Sequence, residues 1–184
     1  MRRLALAALL LLAPVLSGCI VECQLRSDGS GRLRVQYHLD ENATLGTVSQ
    51  RLDGASVAVR SARVDKDGIA TFKVLFADVS KLSTTQMFRN VTFTRAAGSQ
   101  PGTTDWTAKL VQPKPIQLPE KLLKHYGNDL KVTVVFPGPV LATNATSHEG
   151  AKATWVLPLQ TVTSSAETSF TATYKDAGAP SGGG

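Results

Sequence analysis

The chain has 184 residues, and removing the first 18 as a leader would leave 166, the size of one ordinary domain. Apolar residues make up 42% and charged residues 18%, which excludes a largely disordered chain and provides for a packed core. Arg2 and Arg3 belong to the leader, so the formal charge of +6 falls to +4 after its removal. The remaining cations (among them Arg26, Arg32, Arg34, Arg51, Arg60, Arg63, Lys66 and Lys73) are scattered along the chain without aromatic interleaving, so no nucleic-acid stripe is indicated. A weak preference for an anionic lipid surface is compatible with that charge.

Met1-Arg2-Arg3 is a positive start, Leu4 to Leu16 is apolar apart from Pro14 in its register, and Ser17-Gly18 supplies small residues before a cut. A spanning helix needs about 20 apolar residues, and Glu22, Gln24 and Arg26 arrive too soon for one. Residues 1–18 therefore read as a secretory signal helix. Leu16-Ser17-Gly18-Cys19 resembles the lipobox of bacterial lipoproteins, in which diacylglycerol is attached to the thiol and the chain is cut between Gly18 and Cys19. More than one acyl chain gives stable anchoring, each buried methylene contributing about 0.8 kcal/mol. The expected partner is thus a membrane, reached through diacylglyceryl-cysteine. Position 20 is Ile rather than Asp, which by resemblance to the sorting rule of enteric bacteria favours the outer over the inner membrane in a host with two. With Cys19 consumed by lipid, Cys23 is left without a disulfide partner and reads as a small buried strand residue.

In the mature chain, turn residues Asp28-Gly29-Ser30-Gly31 separate Val21–Leu25 from Leu33–Leu39, a hairpin. Leu33, Val35, Tyr37 and Leu39 share one face of the second strand, while Arg32, Arg34, Gln36 and His38 share the wet one. Leu45, Val48 and Leu52 fall at helical spacing behind caps at Asp40 and Asn42. Strands Val57–Val64 and Ile69–Phe76 flank the turn Asp65-Lys66-Asp67-Gly68, and Asp78 caps a second short helix running to Phe88. Asn90–Ala96 and Trp106–Gln112 form a third hairpin around the turn-rich 98–102 segment. A third helix follows from Pro119 to Tyr126, with Gly127 at its end, and strands return at Leu130–Phe136, Ala153–Leu157 and Thr168–Tyr174. About nine strands and three short helices in this mixed order give an α+β fold with a mostly antiparallel sheet of hairpins. The single domain is expected to cover 19–176, with 177–184 a flexible Gly/Ser/Pro tail.

Val134-Val135-Phe136-Pro137-Gly138-Pro139-Val140-Leu141-Ala142-Thr143-Asn144-Ala145, followed by Gly150-Ala151-Lys152-Ala153-Thr154-Trp155, reads as strand, Pro-Gly turn, extended chain, Asn, loop and a strand carrying Trp. With the lipobox and the early Asp-Gly-Ser-Gly hairpin, this order resembles the LppM family of mycobacterial envelope lipoproteins. Members of that family often continue into a C-terminal membrane helix, whereas this chain ends in Ala179-Pro180-Ser181-Gly182-Gly183-Gly184, so its expected anchor is the lipid alone. The resemblance implies an extracytoplasmic α+β domain that handles envelope lipids, with no established catalysis. Asn144 and Trp155 have structural roles available, a turn bridge and an apolar cover with its indole N–H at the edge, and are also the candidate ligand contacts.

No catalytic or metal set emerges. His38, His125 and His148 fall in a strand, a helix end and a loop, without paired cysteines or a His-x-x-x-His spacing. Asp65-Lys66-Asp67-Gly68 lacks the later ligands of a calcium loop, and no Gly-x-Ser-x-Gly elbow or phosphate loop appears. The expectation is a membrane-anchored, non-enzymatic envelope lipoprotein, without cofactor, metal or nucleic acid, whose domain binds a lipid or glycolipid. The alternative is a structural or assembly module that recruits an envelope protein through a sheet edge.

Overall fold

A computed structural model describes residues 18–40 and 42–176. The signal helix, apart from Gly18, and the tail 177–184 lie outside the described residues. In chain order the elements are β1 (Cys19–Leu25), β2 (Gly31–His38), α1 (Leu45–Leu52), β3 (Val57–Val64), β4 (Ile69–Phe76), a 3-10 helix (Val79–Thr84), β5 (Val91–Ala97) and β6 (Thr103–Val111). They continue with α2 (Glu120–Tyr126), β7 (Asp129–Val135), β8 (Val140–Thr143), β9 (Ser147–Glu149), β10 (Lys152–Pro158), α3 (Leu159–Ser164) and β11 (Glu167–Lys175).

The strands form a seven-stranded sheet in the order β3-β4-β2-β1-β7-β10-β9 and a four-stranded sheet in the order β5-β6-β11-β8. The pairings are antiparallel except for β1 with β7, which run parallel with Cys19 opposite Leu130. This is the expected mostly antiparallel α+β architecture, divided between two sheets. The hairpins β1–β2, β3–β4 and β5–β6 lie where alternation placed them.

Three local expectations are corrected. The first helix starts at Thr44 rather than at Asp40 or Asn42: the Thr44 hydroxyl accepts from the Thr47 amide while the Thr47 hydroxyl accepts from the Thr44 amide, a reciprocal cap. The second, expected to run to Phe88, is a 3-10 helix of six residues whose cap Asp78 accepts from the Ser80 amide at 2.7 Å. Its Thr84 and Thr85 hydroxyls donate back to the carbonyls of Lys81 and Leu82, the local competition by which Ser/Thr-rich segments stop helices. The segment Leu159–Ser164, not assigned to any element from sequence, is a short helix whose last four residues, Thr161, Val162, Thr163 and Ser164, have poor helix propensity.

The inner faces of the two sheets meet over an aromatic cluster. Trp106 of β6 lies 6.0 Å from Trp155 of β10 and 5.6 Å from Phe136, Phe136 stacks on Tyr174 at 4.8 Å, and Phe170 meets the edge of Trp155 at 5.8 Å. Val48 and Leu52 of α1 join the same core beside Phe72 and Val74.

The early Asp-Gly-Ser-Gly turn is the dock for a clamp between the layers. Arg95 of β5 donates to the Ser27 carbonyl at 2.8 Å, to the Tyr174 hydroxyl at 3.1 Å and to the buried Asp176 carboxylate at 3.3 Å. Gly29, at φ +87°, leaves room for that guanidinium, which a Cβ would meet at 2.5 Å. The Pro-Gly turn has a similar cause: a Cβ on Gly138 would sit 1.8 Å from the Lys175 carbonyl oxygen, so β11 closes against bare backbone there.

Gly138→Ala should therefore lower unfolding free energy by about 2 kcal/mol or more through forced displacement of β11. Gly46→Ala in α1, where a Cβ meets nothing closer than 3.7 Å, should raise it by about 0.5–1 kcal/mol. Urea denaturation midpoints of the two variants check both signs.

Candidate functional site

Alternation along a strand sends successive side chains to opposite faces, so burying one face of the seven-stranded sheet exposes the other. β2 buries Leu33 and Val35 and turns out Arg32 and Arg34; β4 buries Phe72 and Val74 and turns out Lys73 and Leu75. Register then aligns the outward residues: Arg34 stands opposite Lys73 on one side and Glu22 on the other, and Arg32 stands opposite Leu75 and Gln24. β3 adds Arg60 and Arg63, near a break in its register, and β10 adds Lys152.

The resulting concavity, of about 650 Å³, is lined by six cations, Arg32, Arg34, Arg60, Arg63, Lys73 and Lys152, and by one carboxylate, Glu22. Glu22 pairs with Arg34 at 3.0 Å, and the Gln24 side-chain carbonyl accepts from Arg32 at 2.6 Å. Among the described residues no carboxylate lies within ion-pair distance of Arg60, Arg63, Lys73 or Lys152. Leu75, 41% exposed, and the half-buried Val135 give the floor apolar patches. Like charges directly opposite, as in Arg34 and Lys73, oppose sheet formation, so the face carries an uncompensated positive potential suited to an anion attached to an apolar body. Sequence reading missed this site because its cations come from β2, β3, β4 and β10. The β2 alternation was a visible signal; the strand register was not.

The residues singled out from sequence lie elsewhere. Asn144 and Trp155 are brought together: the Trp155 indole N–H donates to Asn144 Oδ1 at 2.8 Å, the same oxygen accepts from the Thr171 amide, and Asn144 Nδ2 donates to the Ser169 carbonyl. Trp155 is 2% exposed, whereas Asn144 edges a shallower hollow on the outer face of the four-stranded sheet with Asp105, Thr107 and Thr171. Cys19 is the first residue of β1, and Gly18 precedes it against the Asp129 carbonyl. Cys23 is buried, and desolvation pushes its thiol pKa up to about 12, the opposite of an activated nucleophile.

His38 does not face open water as the alternation suggested. It is half-buried, with its ring 4.3 Å from that of His125 of α2. Beside them the Tyr126 hydroxyl donates to Asp40, and desolvation, followed by that bond, pushes the Tyr126 pKa up to about 12. His148 is exposed on β9, and no cluster of three metal-ligating side chains occurs among the described residues.

A family model described as the LppM domain matches residues 27–174. Among solved structures, the NMR structure of the folded domain of LppM from Mycobacterium tuberculosis has the same fold, with a TM-score of 0.52 at 17% identity over 88% of this chain and 90% of that one. No curated protein matches the chain.

Asn144→Ala would leave the buried Trp155 N–H without its acceptor, a loss expected to cost about 1–3 kcal/mol. Thermal unfolding followed by tryptophan fluorescence checks this, and an unchanged midpoint would count against the bridging role.

Proposed function

This chain belongs to the LppM domain family, and we propose that it serves as a cell-envelope lipoprotein, tethered through diacylglyceryl on Cys19, whose domain binds an anionic lipid or glycolipid. The observation that carries the reading is the cationic outer face of the seven-stranded sheet, with six cations against one carboxylate around about 650 Å³. A phosphate-bearing headgroup satisfies guanidinium groups by paired hydrogen bonds, and Leu75 and Val135 offer apolar surface to the adjoining glycerol or acyl segment.

A binding role rather than catalysis fits the chemistry of the remaining groups. The Cys23 thiol is buried and its pKa is pushed up, and the His38 and His125 rings are tilted against one another with the Tyr126 ring and the Asp40 carboxylate beside His125. Recruitment of a protein by strand addition is less well supported. One edge of the large sheet is the three-residue β9 and the other, β3, is irregular near Arg60, both features that discourage pairing with another chain.

Each cation near an anionic surface contributes about 1 kcal/mol, so neutralising Arg60, Arg63 and Lys73 together should weaken binding to phosphatidylglycerol vesicles by roughly two orders of magnitude. Cosedimentation at low and high salt measures it. Equal binding to phosphatidylglycerol and phosphatidylcholine vesicles, or no effect of the triple substitution, would contradict the reading.

A further inference from the structure

Resting on the reading of Cys19 as the lipid-bearing residue, we propose that the crossing between β6 and β7 is a bilayer-docking surface, seated on the same membrane interface that holds the lipid. Cys19 is itself the first residue of β1 and is in register with Leu130 of β7, so no flexible spacer separates the attachment point from the sheet. The membrane interface must then touch whatever surrounds that end of the sandwich.

The surroundings follow from the register. β7 begins at Asp129 and β10 ends at Pro158 beside it; α3 leads from there to Glu167 of β11, which stands opposite Val111 at the end of β6. The crossing from Gln112 to Gly127 runs across this end, held by the Gln112 amide on the Ala166 carbonyl, the Ile116 amide on the Thr163 carbonyl, and the His125 ring against His38. The turns Ser27–Ser30 and Gly98–Gly102 lie at the opposite end, as the Arg95 bond to the Ser27 carbonyl shows.

Val111, Ile116 and Leu122 are 45%, 49% and 37% exposed, three of the seven large hydrophobic side chains left exposed among the described residues. Exposed Lys114, Lys121 and Lys124 accompany them, Lys124 paired with Glu120 at 2.7 Å and the other two without a carboxylate at ion-pair distance among the described residues. α2 has seven residues and buries none of them, although a helix that short is marginal without packing. Aliphatic side chains interleaved with lysines suit the interface, where the apolar groups enter the headgroup boundary and the ammonium groups stay with phosphate. Asp65 and Asp67 of the β3–β4 turn stand at the same end, and an anionic surface would repel them, so the domain leans on the crossing instead. In that pose the strands stand up from the bilayer, and the cationic face rises beside the lipid surface.

The test uses the lipidated mature protein, purified from membranes and reconstituted in vesicles of phosphatidylglycerol and phosphatidylcholine. Leu122→Cys and Ile116→Cys carry an environment-sensitive fluorophore, with Ser99→Cys at the opposite end as reference; the buried Cys23 stays unlabelled. The expected result is a blue shift and loss of iodide quenching at 116 and 122, with full quenching at 99. Equal quenching at all three positions, in protein whose N-terminal peptide shows the diacylglyceryl mass, overturns the docking surface and leaves the anchor standing. An N-terminal peptide without that mass overturns the anchor, and the docking inference with it.

Discussion

A strand packed in a two-layer sandwich can bury only one of its faces, and this constraint organises both the stability and the chemistry of the protein. The inner face is committed to Trp106, Phe136, Trp155, Phe170 and Tyr174, with α1 extending the core over β3 and β4. Because β1, β2, β4, β7 and β10 run side by side, the outward residues of those strands meet on one surface, open around Arg34 and Lys73 and covered by α2 at His38. The cations on that surface therefore act together although they are far apart in the chain.

Two polar arrangements, one partly buried at Arg95 and one at the surface around Asn144, keep the sheets in register. Arg95 ties β5 to the first turn and to the end of β11 through Ser27, Tyr174 and Asp176. Asn144 ties the exit of β8 to β11 and to the indole of Trp155 on β10. Each joins three segments distant in sequence, so loss of either would loosen the face opposite as well as its own contacts.

The sequence carried the hairpins clearly, because period-two patterns around Asp28–Gly31 and Asp65–Gly68 combine two local signals that agree. It carried the family too, through the Pro-Gly turn, Asn144 and Trp155, residues whose geometry explains their type: Gly138 admits the Lys175 carbonyl, and Asn144 offers one oxygen to two donors. What it could not carry was non-local. The parallel pairing of Cys19 with Leu130 and the alignment of Arg34 with Lys73 depend on strand order and register, so cations that looked scattered turned out to be neighbours. The helix past Asp78 failed for a different reason, the side-chain hydroxyls of Thr84 and Thr85 taking the carbonyls of the last turn.

Occupation of the outer face of the seven-stranded sheet by an anionic lipid is the point on which the proposed role depends. The most direct measurement is a backbone amide NMR titration of the mature protein with a soluble short-chain phosphatidylinositol. Shifts confined to β2, β3, β4 and β10 around Arg34, Arg63, Lys73 and Lys152 are predicted, saturating with lipid and suppressed by salt. Shifts clustered instead on Asn144, Thr107 and Thr171, or none at saturating lipid, would contradict it.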